Sequence, residues 1–195
     1  MPYVLLLIPA AFAMLRLITS KYIFSALTTL SCAALALPRA PWIGVALIVS
    51  AAGDWFMAHK GAHQNLYRIG ILLFLAGHLL FLVHSLTHAR RWTPALIAGA
   101  ALAIVYAVYL RGRVLPRVPK LLRVPAIAYT VISVVSFSGA AATGNALYII
   151  GLGLLLFSDT LIAEHDFLRV HAAGAGILPT YYLCQILVAL SALLS

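Results

Sequence analysis

Long apolar runs fill almost the whole chain, and charges, prolines and polar clusters separate each run from the next. A helix needs about 20 apolar residues to cross the hydrocarbon of a bilayer, and fewer when it is tilted. This pattern predicts an all-α integral membrane protein, a single domain 1–195 that forms one bundle of eight transmembrane helices. The predicted spans are residues 2–19, 22–37, 41–59, 66–88, 93–110, 121–142, 145–164 and 173–194.

Composition supports a membrane protein and excludes several other classes. Hydrophobic residues make up 64% of the chain and charged residues only 9%. The charged residues are too few to cover the surface of a soluble protein, and the composition is too apolar for a disordered chain. The two cysteines, Cys32 and Cys184, fall inside apolar runs, so they do not indicate a disulfide-stapled secreted module. The second predicted span, at 16 residues from Tyr22 to Leu37, is the shortest.

The net charge of +9 arises from 13 Lys and Arg residues against four acids. In a membrane protein such an excess indicates cytoplasmic loops and contact with anionic membrane lipids, and we expect no nucleic-acid partner. If the loops are numbered along the chain, the even loops hold only Arg39, Arg90 and Arg91. The positive-inside rule therefore places the odd loops in the cytoplasm and both termini outside it, in a multi-pass protein of the cell inner membrane. The odd loops hold Arg16, Lys21, Lys60, Arg68, Arg111, Arg113, Arg117, Lys120, Arg123 and Arg169.

Two acids, Asp54 and Asp159, lie within the predicted spans and are the leading catalytic candidates. An acid at the centre of a membrane helix costs about 2.5–3.5 kcal/mol on insertion scales, so such acids usually serve a function. Asp54 lies six residues before Lys60, and Asp159 five before Glu164. With a rise of 1.5 Å per residue, both are predicted about 7–9 Å inside the same end of the bundle.

Further polar side chains reach a similar depth on helices that run in the opposite direction. Tyr129 and Tyr181 are either interfacial tyrosines or part of the site, and His78 is either a core histidine or part of the site. Gln185 follows Tyr181 by four residues, so both lie on one helix face. Trp55, beside Asp54, is a candidate for contact with a cationic headgroup, although packing is the simpler role.

Four histidines form two i, i+4 pairs, His59 with His63 and His84 with His88. Such a pair can ligate a metal when it is helical. Each pair lies at the end of a span, and the two pairs are predicted on opposite sides of the membrane. We therefore expect no metal site.

An ordered set of motifs resembles the YhhN-like family of lysoplasmalogenases. The set comprises Gly53-Asp54, Gly70-x-x-x-Phe74-Leu75-x-Gly77-His78-x-x-Phe81, Gly151 to Phe157 leading into Ser158-Asp159, and Thr180-Tyr181-Tyr182-x-x-Gln185. The resemblance covers the chain from about residue 40 to the C-terminus, and the first two helices match in hydropathy alone. It implies an eight-helix membrane enzyme that cleaves the vinyl ether bond of a lysophospholipid, with Asp54 and Asp159 at the acidic positions. Trp55 and Phe56 follow the Gly-Asp pair where the family commonly has aliphatic residues.

The reaction implied by this resemblance suits two carboxyl groups. Protonation of the vinyl ether β-carbon gives an oxocarbenium ion, water adds at the α-carbon, and the hemiacetal collapses to an aldehyde and an alcohol. Two neighbouring carboxyls at low dielectric do not both ionise easily, so one can donate a proton while the other stabilises the cation. No cofactor is needed. His78, Tyr129, Tyr181 and Gln185 would position water or substrate, and Ser158 would bond the neighbouring carboxylate.

Three other functions fit parts of the same pattern. Buried aspartates also occur in transporters and channels, where they carry protons or bind cations. A metal-dependent lipid hydrolase would use the histidines together with the aspartates. A noncatalytic membrane scaffold would leave the two buried acids unexplained. The sequence does not specify an oligomeric state, a headgroup preference, or which aspartate acts as the acid.

Overall fold

The computed structural model describes residues 2–90 and 92–194. Within these residues the chain forms eight α-helices and no β-strand. In chain order, α1 to α8 are Leu7–Thr19, Ile23–Ala36, Pro41–Ala58, Gln64–His88, Trp92–Tyr109, Lys120–Thr143, Ala146–Asp166 and Gly174–Leu194. Each α-helix falls on one of the eight predicted segments. The first segment begins as a 3₁₀-helix over Pro2–Leu6, and a π-helix over Leu110–Val114 continues α5.

Six helical segments are long and apolar enough to cross a membrane, so the chain is a multi-pass membrane protein. They are Pro41–Ala58, Gln64–His88, Thr93–Val114, Lys120–Thr143, Ala146–Asp166 and His171–Leu194. Helices α1 and α2 have 13 and 14 residues, fewer than the usual length of about 20. Length and composition therefore support six of the eight predicted spans, and the crossing of α1 and α2 stays a prediction.

Helix α2 nevertheless lies against α3 along almost its whole length. The Tyr22 ring, just before α2, is 6.0 Å from the ring of His59 at the end of α3. At the other end of α2, a Cβ added to Gly44 of α3 would lie 2.5 Å from the Leu37 Cα. The two helices are therefore antiparallel and cover the same depth of the bundle.

The helices form a closed arrangement from which α5 is excluded. Neighbours pack in the order α1, α2, α3, α4, α6, α7 and α8, and α8 returns to contact α2. Helix α5 packs mainly against α6 and leaves most of its surface outside the bundle. Because α4 and α6 pack directly on each other, α5 is a peripheral helix.

The odd loops gather at one end of the bundle, which we name the basic end. Lys60, in the loop after α3, forms an ion pair with Asp166 at the end of α7. Val114 and Val118, between α5 and α6, belong to one apolar cluster with Phe167. The alternating direction of eight helices predicts this grouping.

Small residues and capping groups explain the close packing and the sharp turns. Cβ atoms added at Gly77 and Gly151 would lie 2.8 Å from the Ser50 Oγ and 2.7 Å from the Val188 side chain. Small residues let membrane helices approach in this way. Gly144 turns the chain between α6 and α7 with a positive φ of 73°, and the Asn145 side chain then caps α7.

The half of the bundle away from the basic end is filled by a continuous apolar core. Phe81, Tyr148, Leu152 and Val188 are almost completely buried there. The Tyr148 hydroxyl donates a hydrogen bond of 2.7 Å to the Phe81 carbonyl oxygen. This packing leaves the half near the basic end as the place where a cavity can form.

Candidate functional site

Asp159 lies in a cluster of three side chains from three helices. Nε2 of His78 on α4 is 3.3 Å from Asp159 Oδ2 on α7 and 3.2 Å from the hydroxyl oxygen of Tyr129 on α6. The His78 side chain is 2% exposed and the Asp159 side chain 14% exposed. The structure thus brings together three of the residues that the sequence predicted at one depth.

Nε2 of His78 faces both the Asp159 carboxylate, which can accept a hydrogen bond, and the Tyr129 hydroxyl, which can donate one. When Nε2 carries a proton it can donate to the Asp159 carboxylate, and when it is bare it can accept from the Tyr129 hydroxyl. The other ring nitrogen, Nδ1, is buried and has no hydrogen-bond partner among the described residues. His78 Nε2 can therefore bond either the Asp159 carboxylate or the Tyr129 hydroxyl, depending on the tautomer of the ring.

Two members of the cluster, Asp159 and Tyr129, line a cavity of about 90 Å³. Tyr129, Thr130 and Ser133 of α6 form one wall, and Asp159 and Thr160 of α7 form another. The cavity extends to the basic end, where its lining includes Tyr67, Tyr109 and Phe167. An ionisable cluster is thus joined to a space that leads to the polar edge of the bundle.

Asp54 belongs to a second cluster, built by α2, α3 and α8. The Thr29 hydroxyl donates a hydrogen bond of 2.7 Å to Asp54 Oδ2. Asp54 is 9% exposed, and Tyr181 lies beside its carboxyl. The Tyr181 hydroxyl itself makes no hydrogen bond of good geometry with any of the described residues. Asp54 is therefore held mainly by Thr29.

The ring of Phe74 separates the Asp54 cluster from the cavity. Phe74 lines the cavity, and a Cβ added to Gly53, next to Asp54, would lie 3.2 Å from that ring. The Phe74 and Tyr181 rings meet edge to face at 5.9 Å. Asp54 does not line the cavity. Among the described residues, no hydrogen bond joins the carboxyl groups of Asp54 and Asp159. The two acids lie on either side of this ring.

The model of the YhhN family matches residues 5–192. The chain belongs to the YhhN family. The match extends over α1 and α2, which the motif resemblance covered only through hydropathy. No curated protein and no solved structure matches the chain.

Two more predicted residues of this YhhN protein lie on one buried face of α8. Tyr181 is 6% exposed and Gln185 is completely buried. Both polar atoms of the Gln185 amide lack a hydrogen-bond partner within the described part of the chain. The i, i+4 spacing predicted their shared face correctly. Neither residue lines the cavity beside Asp159.

Ser158 and Trp55 are neighbours of the two acids in sequence, but they point elsewhere in this YhhN protein. The Ser158 hydroxyl donates to the Ile177 carbonyl at 3.1 Å, so the predicted bond to Asp159 is wrong. Trp55 is 51% exposed, and its ring lies 4.6 Å from that of His59 on the outer surface. Adjacent helical residues differ by about 100° in direction, which separates each from its neighbouring acid.

The sequence reasoning missed a polar group at the mouth of the cavity. Asp166 accepts hydrogen bonds from Lys60 and from the Tyr67 hydroxyl. The Tyr109 hydroxyl donates to Glu164 at 2.7 Å. The spacing of two acids along α7 was a usable signal, because Asp166 follows Asp159 by seven residues, about two helical turns, and so lies near the same helix face.

The two histidine pairs of this YhhN family member differ in geometry. His59 ends α3 and His63 caps α4, so this pair does not share a helix. The His84 and His88 rings stack at 4.2 Å near the end opposite the basic end. The described residues contain no group of three or more side chains able to hold a metal ion.

Proposed function

We propose that this YhhN protein is an intramembrane hydrolase that cleaves the vinyl ether bond of lysoplasmalogens. The products are a fatty aldehyde and a glycerophospho-ethanolamine or -choline. We include in the proposal that α1 and α2 also cross the membrane, that both termini face away from the cytoplasm, and that the host membrane is the cell inner membrane.

One observation carries the proposal: Asp159, His78 and Tyr129 meet at the wall of a cavity inside a hydrophobic bundle. Ionisable residues at membrane depth are costly and usually serve a function. A cavity that combines mostly apolar lining with a few converging polar groups is typical of a ligand site. Family membership supports the lipid substrate, since the YhhN resemblance implies lysoplasmalogenase activity.

In the proposed reaction Asp159 is the general acid. It donates a proton to the β-carbon of the vinyl ether, whose double-bond electrons form the new C–H bond. The ether oxygen shares its lone pair with the α-carbon, which becomes an oxocarbenium ion. Water adds at that carbon and returns a proton to Asp159. The hemiacetal then breaks its bond to the glycerol oxygen, its hydroxyl loses a proton and the departing oxygen gains one, which leaves an aldehyde and an alcohol.

Asp54 is the second carboxyl of the proposed mechanism. Its position behind the Phe74 ring prevents direct contact with a substrate in the cavity. A carboxylate can still stabilise a nearby cation through the low-dielectric interior, where charges interact far more strongly than in water. We therefore assign Asp54 to electrostatic stabilisation, and His78 and Tyr129 to orienting Asp159 and the attacking water.

The shape of the cavity favours hydrolysis over an open channel. Its lining extends from Ser133 and Leu156 to the basic end. Beyond this level the bundle is closed by Phe81, Tyr148 and Leu152, which are 0%, 1% and 1% exposed. A substrate can thus reach Asp159 from one side, whereas an open channel needs access from both.

The test compares three lipids that share one headgroup and differ at the bond to the chain. Purified protein in detergent is incubated with a vinyl ether, a saturated ether or an ester, and free aldehyde and fatty acid are measured. We expect aldehyde from the vinyl ether alone, because the other two bonds do not become oxocarbenium centres on protonation. Lack of aldehyde, or cleavage of the ester at a comparable rate, would refute the proposal.

A further inference from the structure

A second apolar hollow lies on the outer surface between α5 and α6. Its volume is about 290 Å³. Small and branched apolar residues line it, and several of them are exposed on the outside of the bundle. The lining includes Ala103, Ala107, Ile127, Val131, Val134 and Val135. We call this hollow the α5–α6 groove.

The α5–α6 groove adjoins the cavity at Asp159. Tyr106, Leu110 and Thr130 line both. The Tyr106 hydroxyl is 2.7 Å from the Thr160 hydroxyl, and Thr160 is next to Asp159 on α7. These side chains therefore form the boundary that a chain lying in the groove must pass to reach the candidate acid.

Helix α5 forms the outer side of this boundary. It packs mainly against α6, and it reaches α7 through the hydrogen bonds of Tyr106 and Tyr109. The π-helical segment begins at Leu110, where the groove and the cavity meet. Such segments inside helices are frequent at functional sites.

The groove has the direction that a membrane lipid requires. Arg111 lines its basic end, where the cationic side chain can face a lipid phosphate. From Ile127 to Val135 the α6 wall descends about 12 Å towards the bilayer centre, at 1.5 Å per residue. A lipid in the groove would therefore hold its phosphate near Arg111 and its chain among the apolar residues.

We propose that the α5–α6 groove binds the hydrocarbon chain of a single-chain phospholipid, which enters the cavity from the bilayer past Tyr106 and Thr130. The identity of this lipid as the substrate rests on the proposed function. Binding of the chain does not depend on catalysis, so it can be measured separately.

The experiment uses a lysophosphatidylcholine that carries a photoreactive diazirine in the middle of its acyl chain. Purified protein in lipid nanodiscs is illuminated with this probe, and labelled peptides are identified by mass spectrometry. We expect labelling of the groove walls on α5 and α6 that unlabelled lysophosphatidylcholine displaces. Uniform labelling of all outer helices, or equal displacement by a two-chain phospholipid, would show that ordinary bilayer lipid fills the groove and would overturn the proposal.

Two variants fill the groove from opposite walls, Ala107→Phe on α5 and Val131→Phe on α6. Each should reduce labelling of the groove about tenfold or more, since excluding the chain removes at least 1.4 kcal/mol of binding. The matched control is Ala101→Phe, the same enlargement on α5 at an exposed position outside the groove and the cavity. Unchanged labelling in both folded groove variants, or equal loss in the control, would refute the assignment.

Labelling and turnover together separate this inference from the proposed function. Specific labelling without release of aldehyde from a vinyl ether lipid would support the groove and refute the reaction. Release of aldehyde without specific labelling would support the reaction and refute the groove. Asp159→Asn should abolish turnover and leave labelling intact, because Asp159 does not line the groove.

Discussion

Asp159→Asn is the substitution that tests the candidate site most directly. Asparagine has nearly the same shape as aspartate and can still contact His78 Nε2, which lies 3.3 Å from Oδ2 in the native protein. It has no proton to donate as an acid. Because the side chain borders the cavity and is 14% exposed, the change leaves no void in the apolar core.

The expected loss of rate follows from the role of a general acid. Such a group contributes roughly 10²- to 10⁴-fold, which corresponds to about 3–5 kcal/mol in the activation barrier. The expected change in unfolding free energy is smaller, about 1 kcal/mol or less, because only one long hydrogen bond is altered. Turnover should therefore almost disappear while the protein stays folded.

The assay measures release of aldehyde from a vinyl ether lysolipid by purified protein, with thermal unfolding recorded on the same sample. The matched control is Ser158→Ala at the adjacent position, whose hydroxyl bonds Ile177 and points away from the cavity. The Ser158→Ala protein should lose about 1 kcal/mol of unfolding free energy and release aldehyde at the native rate. If Asp159→Asn keeps more than about a tenth of the native rate, Asp159 is not the general acid.

Four other outcomes are expected. Asp54→Asn should also lower turnover about 100-fold or more and leave the fold intact, because asparagine can still accept the Thr29 hydrogen bond; unchanged turnover would make Asp54 structural. In deuterated water, turnover should slow and the aldehyde should carry one deuterium at its α-carbon, with a bell-shaped pH profile; aldehyde without deuterium would exclude β-carbon protonation. A C-terminal reporter active only in the cytoplasm should stay silent, since most basic residues lie in the odd loops, and a signal would reverse the orientation. Tyr148→Phe should lower the unfolding free energy by about 1 kcal/mol without affecting turnover, because it removes a buried hydrogen bond to Phe81; a change in rate alone would contradict this role.

The depth of each side chain within the bundle could be predicted from the sequence, because every α-helix rises by a fixed distance per residue. Counting from the span ends placed Asp159, His78 and Tyr129 near one level, and the structure joins them through one imidazole nitrogen. Counting does not give the direction in which each side chain points across the bundle. The Phe74 ring between Asp54 and the cavity depends on how α3, α4 and α8 rotate against each other.

Hydropathy predicted where helices occur more successfully than which helices are central. Lipid chains are as apolar as a protein core, so a peripheral helix and a buried one have similar composition. Helix α5 is as hydrophobic as its neighbours, yet only 11% of its most apolar stretch of 18 residues is buried inside the bundle. The groove beside it could therefore not be inferred without the packing of α5 on α6.

The partners of α2 also determine when the N-terminal part of the protein can be completed during synthesis. Ser25 of α2 contacts the Tyr182 hydroxyl at 2.6 Å, across 157 residues of sequence. At the far end of the bundle, the Arg39 guanidinium donates to the Leu193 carbonyl. Both partners belong to α8, which leaves the ribosome long after α2. These two contacts therefore form only after about 150 further residues have been synthesised, and until then α2 is more exposed to quality-control proteases.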